Sequence, residues 1–142
     1  MEPLTLTFGV IGLLQTVAHV SKILVTFTKG VVGAPESANI VLSEVNDIET
    51  LLKNLQQFLN GAIIIDQTRA RLAKVDGILA ILTSMVTTFS DLTEILDRLE
   101  TKGMDTIDRV KWARKEKNIM EVLQRLEKSK SSMTVMLGVF QR

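Results

Sequence analysis

Few side chains in this 142-residue sequence have the chemistry that catalysis or metal binding requires. Cysteine and tyrosine are absent, and His19 is the only histidine. Without thiolates, a disulfide framework and a cysteine metal site are excluded, and one histidine is too few for a multi-histidine site. The glycines of GVIG lack the spacing of a dinucleotide-binding loop, and the acidic residues are spread over helix faces instead of being paired. The sequence therefore predicts no enzyme, no catalytic residue, no metal and no cofactor.

Two further residues each have two interpretations. His19 is either a pH-sensitive group or ligand, or simply an exposed or hydrogen-bonded side chain, and the second is favoured. Trp112 is either an interfacial membrane anchor or a core contact, and the core contact is favoured. The bases around Trp112 are mixed with acids and lack further aromatic residues, so no nucleic acid is predicted as a partner. No small-molecule substrate is predicted either.

The N-terminal segment is the most informative part of the chain. From Pro3 to Ser21 it carries no charge when His19 is neutral, and 19 helical residues span roughly 28 Å. Glu2 directly follows Met1, which argues against a signal peptide because that needs a basic start. Small and polar residues recur at helical spacing and form one narrow face, the polar strip: Thr5, Gly9, Gly12, Thr16 and His19.

The rest of this helix is apolar almost all round, which suits two environments. In a bundle, one side packs inward and the polar strip meets water. In a membrane assembly, the apolar surface meets lipid and the strip meets a neighbour or a pore. The candidate membrane-inserting residues are Leu4, Leu6, Phe8, Val10, Ile11, Leu13, Leu14 and Val17.

Apolar periodicity predicts an all-α fold: four long helices in an antiparallel bundle within one domain, residues 1–142, plus a short helix before the last. We expect helices over residues 4–29, 36–60 and 68–102, a short helix over 105–113, and a last helix ending near Phe140. Asn60-Gly61 is read as a helix end and Ala62–Asp66 as a connection, and the threonine-rich stretch 83–90 as a bend.

Charge is unevenly distributed although the net charge is +1. Residues 34–97 carry a net charge of −5, and residues 98–142 carry +5. We favour charge balance within the bundle, with lipid contact as the alternative for part of the basic segment. The candidate contacts to anionic phospholipid are Lys111, Arg114, Lys115 and Lys117.

Three blocks, "MEPLTLTFGVIGLLQTVAHVSKIL", "GAPESANIVLSEV" and "DRVKWARKEKNIMEVLQRLEKSKSSMTVML", together resemble the fungal HeLo-like domain. That domain lies at the N-terminus of many fungal STAND (NLR-like) receptors. The resemblance covers nearly the whole chain and implies a helical bundle similar to the four-helix executioner domain of the mixed-lineage-kinase-like pseudokinase.

The resemblance also implies a function. We expect a pore-forming, membrane-permeabilising effector of regulated cell death in fungal immunity or heterokaryon incompatibility, activated by self-association. It would be cytoplasmic at rest and at the plasma membrane when active, with Glu2 at the acidic position that matters in several members. The implied trigger is an amyloid motif, a NACHT or NB-ARC module, or an enzyme module. The alternative is a helical adaptor for homotypic association or autoinhibition, without membrane activity.

Overall fold

The computed structural model describes residues 3–30, 35–64, 69–99 and 109–140, and their side chains within 8–29, 35–59, 77–99 and 110–138. Four helices make up these ranges: α1 (Pro3–Gly30), α2 (Glu36–Ile64), α3 (Arg69–Leu99) and α4 (Arg109–Phe140). No strand occurs in the described part of the chain. The predicted all-α class is confirmed.

The contacts between helices define a four-helix bundle. Helix α1 packs chiefly on α2 and more loosely on α3, while α4 contacts both α2 and α3. Asp91 of α3 pairs with Arg125 of α4, whereas Gly77 of α3 faces Met136 of α4, so these two helices are antiparallel. Ser37 and Glu44 of α2 meet Glu116 and Lys130 of α4 in the same order, so α2 and α4 are parallel.

Each helix contributes one apolar stripe to a single core, as its heptad spacing predicts. The core residues are Val10, Leu13, Val17, Val20, Leu24 and Phe27 of α1; Val41, Val45, Ile48, Leu52, Leu55 and Leu59 of α2; Ile78, Leu82, Met85, Phe89, Leu92, Leu96 and Leu99 of α3; and Trp112, Ile119, Leu123, Leu126, Met133 and Leu137 of α4, with Ala38 and Val122. Because these stripes must face the core, they determine which residues of each helix face outward.

Helix α2 continues beyond its expected end. It passes through Asn60 and Gly61 and ends at Ile64, so the predicted stop at Asn60 is wrong, and Ala62, Ile63 and Ile64 are helical. A glycine inside a helix destabilises it by only about 1 kcal/mol relative to alanine. That cost is too small to end a long helix, because each further helical residue adds a backbone hydrogen bond. The remainder of the expected connection, residues 65 and 66, lies outside the described residues.

Helices α3 and α4 are also more continuous than the sequence indicates. Residues 83–90 remain helical, and the hydroxyls of Thr83, Thr87 and Thr88 donate to carbonyls four residues earlier. These bonds satisfy the hydroxyls without leaving the helix. In the described part of the expected short helix, residues 109–113 form the first turns of α4 itself. Residues 105–108 lie outside the described ranges.

Candidate functional site

The candidate membrane-inserting residues divide between two sides of α1. Val10, Leu13 and Val17 are buried in the core, whereas Phe8 is 65% and Ile11 36% exposed. Leu14 is half-buried at the edge of the core. Glu2 lies outside the described residues, as do the side chains of Leu4 and Leu6. Helix α1 therefore exposes apolar side chains near its N-terminal end in addition to those that it buries in the core.

The polar strip of α1 borders a groove beside α3. Gly9, Gly12 and Thr16 line it, His19 is exposed, and the side chain of Thr5 is outside the described set. The groove has a volume of about 590 Å³. Its other lining residues are Phe8 and Leu13 of α1, and Val86, Ser90, Thr93, Glu94 and Asp97 of α3. The strip thus meets an open groove, of which α3 forms the second wall.

The glycines of this strip do not serve close helix packing. A Cβ atom added at Gly9 or at Gly12 would have no heavy atom within 4 Å beyond its own helix and chain neighbours. At Gly77 of α3, by contrast, an added Cβ would lie 2.9 Å from Cε of Met136. Gly9 and Gly12 therefore leave the groove floor open, which their sequence spacing alone does not reveal.

The α3 wall of the groove is acidic and contains an unpaired hydroxyl. Glu94 accepts a hydrogen bond from Arg98 at 2.7 Å on the surface, while Asp97 is exposed without an ion pair among the described residues. Oγ1 of Thr93 is buried and has no hydrogen-bond partner in the described structure. No sequence pattern singles out this wall, because its residues become neighbours of α1 only in the folded bundle.

The four candidate lipid-binding bases lie on the first turns of α4. Lys111, Arg114, Lys115 and Lys117 are all exposed. At helical spacing, Arg114 and Lys117 share one face, and Lys111 and Lys115 share the adjacent face. These bases therefore present two charged faces to the surroundings.

Trp112, between those bases, is fully buried, so its predicted role as a core contact is confirmed. Its ring lies 5.3 Å from the ring of Phe27 in α1. Its Nε1–H donates to Oγ of Ser37 in α2 at 3.0 Å, and that hydroxyl donates to Oε2 of Glu116 at 3.0 Å. This contact places the start of α4 beside the end of α1 and the start of α2.

The bases in the C-terminal half of α4 include two that pair within the bundle. Arg125 donates to Asp91 at 2.7 Å. Nζ of Lys130 donates hydrogen bonds to Oε2 of the buried Glu44 and to Oδ2 of Asp47, each at 3.2 Å. It also lies 3.0 Å from Oε1 of Glu44, an oxygen that accepts no hydrogen bond in the described structure. The hydrogen bond that Lys130 donates to Glu44, and then the one that it donates to Asp47, raise the pKa of Lys130 above its usual value.

Among the described residues, two helical stretches, Phe8–Lys29 and Gly77–Leu99, are long and apolar enough to cross a membrane. Core helices of soluble proteins satisfy the same criterion, so the exposed residues of each stretch matter more than its average composition. In the first stretch only 28% of the apolar window is buried in the bundle. Much of α1 therefore faces the surroundings while carrying few charges.

Comparison with known proteins identifies no relative. None of the protein-family models, curated proteins or solved structures compared with this chain matches it.

Proposed function

We propose that this chain is the membrane-targeting and membrane-permeabilising effector domain of a HeLo-like cell-death protein. In this proposal, association of several copies activates it at the plasma membrane, and a nucleotide-binding, amyloid or enzyme module supplies the trigger. The observation that supports it best is the outer side of α1, where Phe8 and Ile11 are exposed on a helix that is also apolar toward the core. A bundle helix requires only one apolar side.

The energetics explain why α1 stays in the bundle in water. Six α1 side chains are buried in the core. Burial of each stabilises the fold by about 1.5–3 kcal/mol, so their sum is comparable with the whole stability of a domain. Release into water is therefore unfavourable. A bilayer offsets that loss and in addition accepts the outer apolar side, which gains nothing in the bundle.

Association supplies the second condition for activity. Attachment to an oligomeric module raises the local concentration of copies and favours their assembly without a new contact inside each bundle. Lys111 and Lys115 then hold the domain on anionic phospholipid, at about 1 kcal/mol for each base near the surface. Because Trp112 joins the start of α4 to the end of α1, these bases anchor the end of the bundle opposite to the N-terminal half of α1.

Dye release from anionic liposomes tests the proposal. The domain fused to an oligomer-forming coiled coil is expected to release dye, and deletion of residues 1–21 or Glu2→Ala is expected to reduce release. Phe8→Gln removes an apolar side chain that is 65% exposed, and we expect it to reduce release at unchanged stability. Val135→Gln is the matched control because Val135, on α4, is 69% exposed and outside α1.

The result that contradicts the proposal is equally direct. If the assembled, folded domain leaves anionic liposomes sealed, membrane permeabilisation is wrong. Solution oligomers without vesicle binding in a sedimentation assay would instead identify the adaptor function. If Phe8→Gln and Val135→Gln reduce release equally, the outer side of α1 has no special role.

A further inference from the structure

We infer that the groove between α1 and α3 binds α4 of a second copy, through a basic ridge formed by Arg114 and Lys117. Copies then join head to tail. The inference rests on the proposed function, which requires association, and deepens it by naming the contact. Groove and ridge are different surfaces of the same molecule, and different residues form each of them.

The groove has the shape of a docking site for side chains. Phe8 and Val86 stand at its edges, 65% and 53% exposed, and Gly9 and Gly12 leave its floor open. Apolar residues exposed beside an open groove are typical of an interaction surface rather than of a solvated helix face. The occupant must therefore present apolar surface.

The charge of the groove selects a cationic occupant. Glu94 and Asp97 line its α3 wall, and both side chains are exposed. An arginine or lysine side chain meets both requirements, because its apolar stem covers Phe8 and its charged end reaches the carboxylates. The guanidinium also favours the face of an aromatic ring such as that of Phe8. Anionic lipid is a poor occupant, since these carboxylates repel phosphate.

The basic ridge is the matching surface on the same chain. Arg114 and Lys117 are exposed on one face of α4, without an ion pair among the described residues. Arg125 and Lys130, further along α4, are already paired with α3 and α2. Glu121, one turn beyond Lys117 on the same face, limits the ridge to the start of α4. The complementary charges on groove and ridge thus favour a second copy as the occupant.

A contact between two different surfaces has a definite consequence for assembly. Such a heterologous contact leaves one free groove and one free ridge in every dimer, so growth continues until a ring closes. A two-fold symmetric contact would stop at the dimer. Salt should weaken the assembly, because the charges lie near the surface. Lys115, on the adjacent face, remains exposed to lipid.

Charge reversal followed by mixing tests the contact. The double variant Glu94→Lys with Asp97→Lys reverses the charge of the groove and leaves the ridge intact. The double variant Arg114→Glu with Lys117→Glu reverses the charge of the ridge and leaves the groove intact. In sedimentation velocity at low salt, we expect the wild-type chain to form species larger than dimers. For each reversed variant alone, we expect the dissociation constant of self-association to be at least roughly tenfold higher than that of the wild type. The equimolar mixture should again form species larger than dimers, because each ridge then meets a groove of opposite charge on the other variant.

Two additional variants complete the design. The chain carrying all four reversals should assemble like the wild type, because its groove and ridge are again complementary. Lys128→Glu is the control for charge alone, since Lys128 is exposed on α4 and distant in sequence from the ridge. Circular dichroism and thermal melts establish that each variant is folded.

Three results would overturn the inference: a wild-type chain that stays monomeric up to millimolar concentration, reversed variants that associate like the wild type, or an equimolar mixture that assembles no better than each reversed variant alone. The head-to-tail contact and membrane permeabilisation can fail separately in these experiments. Head-to-tail assembly without dye release keeps the inference and rejects permeabilisation. Dye release that is unaffected by the charge reversals keeps permeabilisation and rejects the head-to-tail contact.

Discussion

At the scale of single residues, Ser37 joins helix α2 to the tryptophan of α4. Its hydroxyl accepts the Nε1–H of the buried Trp112, whose ring packs on Phe27. We expect Ser37→Ala to lower the free energy of unfolding by about 1–3 kcal/mol, because it leaves a buried donor without an acceptor. Urea unfolding followed by the fluorescence of the single tryptophan measures this. Ser43→Ala, at an exposed position of the same helix, should have little effect.

Lys130 stabilises the contact between α4 and α2. Its ammonium group lies between Asp47 and Glu44, and the Glu44 side chain is only 11% exposed. Lys130→Met is expected to lower the free energy of unfolding at neutral pH by about 1–3 kcal/mol, since it leaves a buried carboxylate unpaired. The control is Lys53→Met, whose Nζ lies 3.9 Å from Glu49 on the surface. Its effect should stay within about 0.5 kcal/mol.

The same residue predicts a dependence of stability on alkaline pH. Its pKa in the folded chain lies above the ordinary lysine value of 10.5. The contribution of Lys130 to stability is therefore fully present below the pKa of the unfolded chain, and it is lost as pH rises through the folded pKa. We expect the stability difference between the wild type and Lys130→Met to be constant from pH 7 to about pH 10 and then to shrink. A constant difference at still higher pH would contradict the ion-pair explanation.

At the scale of the element, α1 carries glycines at positions where the fold does not require them. Gly9→Ala and Gly12→Ala should each raise the stability of the bundle by up to about 1 kcal/mol, because alanine favours the helix and the added Cβ meets no neighbour. Gly77→Ala should gain less, since its Cβ must displace Cε of Met136. Thermal melts of the three variants give this order, and destabilisation by Gly12→Ala would show that the groove floor is closed.

The elements also show how far helical patterns extend. Apolar spacing of three and four residues predicted the core stripes of all four helices, because a 3.6-residue period places such positions on one face. The end of α2 was not predictable from Asn60-Gly61, since the cost of one glycine is small beside that of ending a helix. Local signals therefore identified the buried faces better than the helix boundaries.

At the scale of the whole molecule, the proposed function requires α1 to leave its neighbours. Oγ of Ser21 in α1 lies 3.1 Å from Oδ1 of Asn46 in α2, and the chain has no native cysteine. We expect the double variant Ser21→Cys with Asn46→Cys to form a disulfide between the two helices. When it is oxidised, the assembled domain should release no dye from liposomes, and reductant should restore release.

The two single-cysteine variants are the controls for this experiment, because neither can lock α1 to α2. Full dye release by the oxidised double variant would show that permeabilisation does not require separation of these helices. Measurement of free thiols before and after reduction establishes how much of the protein is locked.

The all-helical class and the inward face of each helix follow from the sequence, which also favours the burial of Trp112 and makes α1 apolar apart from its polar strip. These properties depend on residue type and on spacing along one helix, so they can be read without tertiary information. The contact of the polar strip of α1 with an acidic wall of α3, and that of Lys130 with Glu44, are visible only in the tertiary structure. Those relations join residues distant in the chain, and only the packing of one helix against another determines which of them meet.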